Sequence, residues 1–219
     1  MPPSSLHADR ILPWGDEASH AAAVDRAARI ISSGGLIVYP TETVYGIGAD
    51  ARNADAIGRI PAVKGRDDRK PILVLVGSHD EVTEFASSVS DTAWALMGAF
   101  WPGPLTLVFL ARNDVSELLT AGTGTVGLRC SPNAFCRELI QRSGKAITST
   151  SANRTGEPTP GTIEEIARQL GDGIDLYVDA GVLGGRLPST VVDVSGPAPR
   201  LVREGVILRS ELLPIMRAG

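Results

Sequence analysis

Two clusters of polar side chains follow apolar runs of strand length, and both could do chemistry. The first follows the run at 36–39 and contains Thr41, Glu42, Thr43 and Tyr45. The second is the sequence Thr-Ser-Thr-Ser-Ala-Asn at 148–153. Ligands of open α/β sheets bind at the carboxyl ends of strands, where hydroxyl and amide groups suit phosphate oxygens or a small polar substrate. A capped helix start explains the first cluster equally well, and a polar turn is the alternative for the second.

A basic turn precedes a further apolar run at 72–76. Its four cations fall within seven residues and are Lys64, Arg66, Arg69 and Lys70. Lysine supplies a point charge and arginine a planar fork, so the turn could clamp a polyphosphate. Most such runs are solvated loops, and Asp67 and Asp68 offset part of the charge. On its own the turn therefore favours the solvated loop.

Arg129 is a charge within an apolar strand predicted over 125–130, where the pattern expects burial. A buried arginine requires an anionic partner. Glu42 could be that partner within the protein, and a ligand carboxylate is the alternative.

Several catalytic patterns are missing or fail their context. The sequence has no P-loop and no G-x-S-x-G elbow, and its G-x-G-x-x-G match at 122–127 precedes a strand instead of following one. The three histidines, His7, His20 and His79, fall in segments expected to be solvated. Cys130 and Cys136 lack zinc-site spacing, so we interpret them as reduced structural thiols. No protein metal site is expected.

The composition is that of an ordinary globular protein, with 43% hydrophobic and 21% charged residues. A net charge of −4 argues against a general nucleic-acid coat but allows a local basic groove. No apolar run approaches the length of a membrane span, and the N-terminus lacks a signal pattern. We therefore expect a cytoplasmic protein with no membrane segment.

The order of elements predicts an α/β fold. Strands alternate with helices through the first two thirds of the chain and dominate afterwards, which favours a single domain with one twisted, mixed sheet flanked by helices. Residues 1–18 are interpreted as a loose arm, 19–208 as the domain, and 209–219 as a tail or short helix. Pro61 is expected to end a helix over 54–63 early, and Ser131 to cap a helix over 132–142.

Six motifs in this order resemble the YrdC-like family, the threonylcarbamoyl-AMP synthases of TsaC type. They are PTETVYG at 40–46, K-x-R at 64–66, WPGPLT at 101–106, VGLR at 126–129, STSAN at 149–153 and PSTVVD at 188–193. The resemblance covers roughly residues 20–207, and six motifs in register are far more specific than any one of them. The chain resembles the short form, without the extra C-terminal domain of some members.

The resemblance implies an enzyme that makes threonylcarbamoyl-adenylate and pyrophosphate from L-threonine, bicarbonate or CO2, and ATP. The product would pass to further proteins that install N6-threonylcarbamoyladenosine at position 37 of tRNA. The implied fold is a twisted α/β domain, here 19–208, with a large concave basic pocket. Mg2+ would be held mainly through the ATP phosphates.

The resemblance also assigns roles to residues. Thr41 would contact threonine, Arg129 would pair with its carboxylate, and Ser149 and Ser189 would line the same site. Lys64 and Arg66 would be the catalytic cations on the ATP phosphates. The rest of the nucleotide site would be Ser151, Asn153, Thr125, Thr159 and Arg203.

Two positions depart from the family pattern: Asp67 stands where many relatives have proline, and Leu75 where some have histidine. The principal alternative function is a factor for ribosome maturation or for binding tRNA or other double-stranded RNA, which would use the same basic concavity. A third is a relative that keeps the nucleotide pocket but uses another carbamoyl acceptor.

Overall fold

The computed structural model describes residues 8–15, 17–65, 70–183 and 187–217. The strands are β1 Ile11–Pro13, β2 Ile37–Pro40, β3 Tyr45–Gly48, β4 Val74–Leu75, β5 Leu105–Leu110, β6 Thr125–Arg129, β7 Ile147–Thr148, β8 Thr150–Ser151, β9 Leu176–Asp179, β10 Thr190–Asp193 and β11 Arg200–Arg203. The helices are α1 Glu17–Ser32, α2 Ala54–Val63, α3 Asp91–Phe100, α4 Glu117–Thr120, α5 Ala134–Ser143, α6 Ile163–Leu170 and α7 Arg209–Met216. Short 3-10 turns span Ala8–Arg10, Asp80–Glu84 and Gly171–Gly173.

The strands form two mixed sheets. The first has the order β1-β9-β2-β3-β8 and the second the order β11-β10-β5-β6-β4-β7. Each sheet contains both parallel and antiparallel pairs. The predicted mixed α/β class is therefore confirmed, but the strands are divided between two sheets and do not form the single sheet that was expected.

One short segment, 147–151, passes from the second sheet to the first. Its first half, β7, pairs with β4, and its second half, β8, pairs with β3. Ser149 lies between the two halves, and its backbone N–H donates to the carbonyl of Leu73 at 2.7 Å. The polar cluster predicted here therefore lies at the seam between the sheets.

The first polar cluster also lies at this seam, at the turn of an antiparallel hairpin formed by β2 and β3. Sequence analysis predicted β2 and a polar turn but not β3. Gly48 explains how the return strand fits, because a Cβ there would lie 2.7 Å from Cε1 of Tyr39 and 2.9 Å from Cγ2 of Ile147. Tyr39 also ties the hairpin to the crossing segment by donating to the carbonyl of Thr148 at 3.0 Å.

Two groups of buried apolar side chains cover the sheets. One lies beneath α1 and α5 and includes Ala27, Ile31, Tyr39, Phe135 and Leu139. The larger group takes in α2, α3 and α6 and residues from both sheets. The two sheets therefore share packing, which holds the seam between them in place.

Three local predictions were wrong. Pro61 lies within α2, which continues to Val63, so the proline does not end the helix early. Asn133 caps α5, since its Oδ1 accepts from the backbone N–H groups of Phe135 and Cys136, while Ser131 bonds to Glu42. Ile11–Pro13, placed in a loose arm, forms β1 and pairs with β9.

The basic turn is only partly described. Arg66 and Arg69 lie outside the described residues, as do Asp67 and Asp68, so their predicted roles stay predictions. Within the part of the chain that is described, no helix is long and apolar enough to cross a membrane.

The fit at Gly48 gives a first prediction. Replacing Gly48 with alanine should lower the free energy of unfolding by about 1–3 kcal/mol, because the added methyl overpacks Tyr39 and Ile147. Gly98, an exposed position in α3 where an added methyl would meet no atom within 4 Å, is the matched control. Gly98→Ala should instead raise stability by about 0.5–1 kcal/mol through helix propensity. Urea unfolding of both variants measures the difference, and an unaffected G48A would contradict the packing of this hairpin.

Candidate active site

A cavity of about 290 Å³ opens at the seam between the two sheets. Its walls come from the β2–β3 hairpin, the crossing segment, the approach to β4, and strands β5, β6, β10 and β11. The lining residues are Thr41, Thr43, Val44, Tyr45, Gly46, Pro71, Leu73, Thr106, Arg129, Ser149, Thr150, Ser151, Pro188, Ser189, Val191 and Arg203. Hydroxyl groups and two guanidinium groups thus converge on one space.

Thr41 shapes the hairpin turn. Its Oγ1 accepts from the backbone N–H groups of Thr43 and Val44, each at 3.2 Å, and donates to the carbonyl of Val44 at 2.5 Å. The residue is buried, so these contacts satisfy a polar group that would otherwise be costly to bury. Thr41 therefore has a structural role in fixing the wall of the cavity, beside any contact with a ligand.

Arg129 ends β6 and is only 3% exposed. Its Nη1 lies 3.4 Å from Oε1 of Glu42, as sequence analysis anticipated for a protein partner. Ser131 donates to the other carboxylate oxygen, Oε2, at 2.5 Å. The Nε of Arg129 is buried and has no hydrogen-bond partner among the described residues. The guanidinium thus combines one internal ion pair with a donor that a ligand could satisfy.

A second polar group lies across the cavity around Ser189. Its hydroxyl is 3.0 Å from Oγ1 of Thr106, and both residues are buried. Arg203 reaches inward from β11 and donates through Nη2 to the Ser189 carbonyl at 2.9 Å and to its hydroxyl at 3.3 Å. Partial burial, followed by the nearby charge of Arg129, lowers the pKa of Arg203. Two like charges facing one space make it attractive to an anion.

Lys64 lies behind the crossing segment. It follows α2 directly, is 3% exposed, and donates through Nζ to the carbonyl of Ser151, which itself lines the cavity. The backbone carbonyl of Lys64 accepts from the N–H of Thr155 at 3.0 Å. The ammonium group therefore contacts a residue of the cavity lining, although Lys64 itself does not line the cavity.

Residues 29–205 match the family model Sua5–YciO–YrdC, whose description is "Telomere recombination". The chain belongs to this family. Threonylcarbamoyl-AMP synthase of Bacillus subtilis is 35% identical over 190 residues, which cover 86% of this chain and 55% of the relative. The enzyme of the same name from Thiobacillus denitrificans is 36% identical over 162 residues, which cover 74% of this chain and 86% of the relative.

Among solved structures, Sua5 of P. abyssi in complex with L-threonine superimposes with a TM-score of 0.86 at 32% identity. The match covers 94% of this chain and 60% of that one, so the chain spans about three fifths of the archaeal protein. The resemblance inferred from the six motifs is confirmed, and relatives with this level of identity make the protein an enzyme of the Sua5–YciO–YrdC family.

The structure brings six of the predicted site residues to the cavity: Thr41, Arg129, Ser149, Ser151, Ser189 and Arg203. Asn153 is close in sequence but does not line it; its Nδ2 donates to the carbonyls of Arg154 and Glu157. Thr125 lies at the opposite end of β6 from Arg129, beside Thr123. Thr159 lies before α6, also outside the lining.

Thr106 and Leu73 are among the lining residues that were not predicted as site residues. Thr106 belongs to the WPGPLT motif, and a hydroxyl in the apolar run of β5 was the signal that could have identified it. Leu73 adds an apolar wall just before β4. Their role depends on contacts between distant strands, which local patterns do not report.

The site does not offer a ligand set for a protein-held metal. None of the described lining residues is acidic, and the described part of the chain contains no group of three or more histidine, cysteine or acidic side chains that could hold a metal ion. A cation bound only by protein side chains therefore does not fit, whereas a cation carried on phosphate oxygens needs no such set.

The two cysteines are poor nucleophiles in the folded protein. Burial raises the pKa of Cys136 to about 12 and also raises the pKa of Cys130. At pH 8 we expect Cys136 to react with a maleimide at least about 10³-fold more slowly than in urea, where a thiol has a pKa near 8.5. Mass spectrometry of quenched samples measures the rates. Rapid labelling of the folded protein at Cys136 would contradict its burial.

Proposed function

We propose that the chain is an L-threonylcarbamoyladenylate synthase, a nucleotidyltransferase. It forms threonylcarbamoyl-AMP and pyrophosphate from L-threonine, bicarbonate or CO2, and ATP. The observation that carries this proposal is the placement of Arg129, a buried guanidinium in a cavity at the seam of the two sheets that serine and threonine residues also line. The names of the relatives and the threonine complex of the archaeal neighbour support the same activity.

The amino-acid end of the reaction is assigned to the Arg129 side of the cavity. A planar guanidinium can bind a carboxylate through two parallel hydrogen bonds. The hydroxyl groups of Ser149 and Ser189 and the turn held by Thr41 surround the remaining space. They suit a small substrate that carries an ammonium and a hydroxyl group, and a site that bonds the hydroxyl would discriminate against valine.

The chemistry has two steps. In the first step, the amino group of threonine attacks the carbon atom of bicarbonate or CO2 and forms a carbamate. With bicarbonate the step releases water, and with CO2 it releases the proton of the amino group. A carbamate oxygen then attacks the α-phosphorus of ATP, the new P–O bond forms, and the bond to the β-phosphate oxygen breaks to release pyrophosphate. Such displacements depend mainly on positioning and charge neutralisation.

The nucleotide end is assigned to the Lys64 side of the crossing segment. Lys64 and Arg66 would neutralise phosphate charge, with Ser151 and Asn153 beside them and Arg203 at the far wall. Thr125 and Thr159 are the weaker assignments, because both lie outside the cavity lining. Mg2+ would arrive on the phosphates, and no step is assigned to it.

In the cell, the product would be consumed by proteins that transfer the threonylcarbamoyl group to adenosine 37 of tRNA. RNA binding by this chain is the less favoured function. The cavity at the seam, at about 290 Å³, is close in size to small-molecule sites, and the relatives are named as synthases.

The activity can be tested directly. Purified protein, incubated with ATP, 14C-bicarbonate and L-threonine, should release pyrophosphate and form a labelled adenylate only when all three are present. L-Serine and L-valine in place of threonine should give much less product. Folded protein that forms no threonine-dependent adenylate would contradict the proposal. If such protein instead binds tRNA with an affinity that falls steeply as the salt concentration rises, the RNA-binding alternative is favoured.

The assignment of the two ends predicts different kinetic effects. Arg129→Lys keeps the charge but loses the fork, so KM for threonine should rise roughly tenfold or more while KM for ATP changes little. Lys64→Ala should instead weaken ATP use. Lys145→Ala, which removes a cation paired with Asp50 outside this cavity, is the control and should leave both constants unchanged. Equal effects of R129K on both substrates would refute the division of the site.

A further inference from the structure

A carboxylate lies directly behind the guanidinium of the proposed amino-acid site. The side chain of Glu42 is 14% exposed, and its Oε1 lies 3.4 Å from Nη1 of Arg129. Glu42 is not among the residues that line the cavity, although its neighbours Thr41 and Thr43 are. It can therefore act on a ligand through Arg129 but not by touching the ligand.

Ser131 fixes the orientation of this carboxylate. Its hydroxyl has one proton, and its oxygen already accepts from the backbone N–H of Asn133 at 3.2 Å. The proton consequently points to Oε2 of Glu42, at 2.5 Å. With Oε2 held by Ser131, Oε1 is the oxygen turned towards Arg129.

The loop that carries Ser131 is held in place by hydrogen bonds and burial. Asn133 caps α5 through its side chain, and Ser131 is only 1% exposed in the loop that joins β6 to α5. Glu42 lies in the hairpin turn on the other side. The chain of contacts Ser131–Glu42–Arg129 therefore links the hairpin, the loop and β6, and it places one carboxylate oxygen 3.4 Å from Nη1 of Arg129. Oε1 of Glu42 has no hydrogen-bond partner among the described residues, so this contact is an ion pair.

We propose that Glu42 and Ser131 are positioning residues that hold the guanidinium plane of Arg129 in the orientation that receives the carboxylate of the amino-acid substrate. This inference rests on the proposed function. Glu42 also neutralises a buried charge, but neutralisation alone would not need a second residue that fixes one carboxylate oxygen. Because a bidentate contact depends on direction as well as charge, loosening this pair should reduce recognition of the carboxylate specifically.

The test compares two ligands that differ only at the carboxyl group. Isothermal titration calorimetry measures the dissociation constants of L-threonine and L-threoninamide for the wild-type protein, Glu42→Gln and Ser131→Ala. The control is Asp50→Asn, because Asp50 is also buried and its ion pair with Lys145 has the same 3.4 Å length but lies outside the cavity. Thermal unfolding of each variant shows whether it is folded.

We expect Glu42→Gln to weaken threonine binding about tenfold, Ser131→Ala to weaken it by less, and neither to change threoninamide binding appreciably. The double variant should be no weaker than Glu42→Gln alone, because both residues act through Arg129. Asp50→Asn should leave both ligands unaffected.

Equal losses for threonine and threoninamide, or unchanged threonine binding in folded Glu42→Gln and Ser131→Ala, would overturn the positioning role. If Glu42→Gln does not fold, Ser131→Ala still decides, because it leaves the ion pair in place. Failure of the wild-type protein to bind threonine at all would instead contradict the proposed function, so the two failures are distinguishable.

Discussion

The site depends on the burial of one permanent charge. Arg129 is 3% exposed at the seam of two sheets, and an isolated ion there would be unstable without compensation. Glu42 provides that compensation from the hairpin turn at 3.4 Å, and Ser131 fixes the carboxylate. Removing Glu42 would take away the counter-charge of Arg129, so the contact that stabilises the buried charge is also the one proposed to orient the ligand-binding guanidinium.

The seam exists because the chain changes sheets within five residues. β7 completes the edge of the second sheet and β8 the edge of the first, with Ser149 between them. Ser149, Thr150 and Ser151 of this segment line the cavity together with Arg203 of β11 and Ser189, the residue before β10 in the second sheet.

Much of this arrangement was accessible from sequence. The polar clusters and the buried Arg129 were predicted, and Glu42 was named as its possible partner within the protein. Local patterns failed where tertiary contacts decide. β3 was missed because its two glycines suggest a turn until the ring of Tyr39 is placed against them, and Ser131 was taken for a helix cap because its bond to Glu42 spans 89 positions.

A groove of about 630 Å³ beside α5 is larger than the proposed site, but its walls mix glutamates with Arg137 and Lys145. Size alone would favour that groove, whereas the two arginines of the seam cavity favour the seam as the site for an anionic ligand.

The most direct test is a crystal structure of the protein with L-threonine and a non-hydrolysable ATP analogue. We predict that the threonine carboxylate lies within about 2.7–3.2 Å of the Arg129 guanidinium. Threonine bound in the groove beside α5, or at the seam without contact to Arg129, would contradict it.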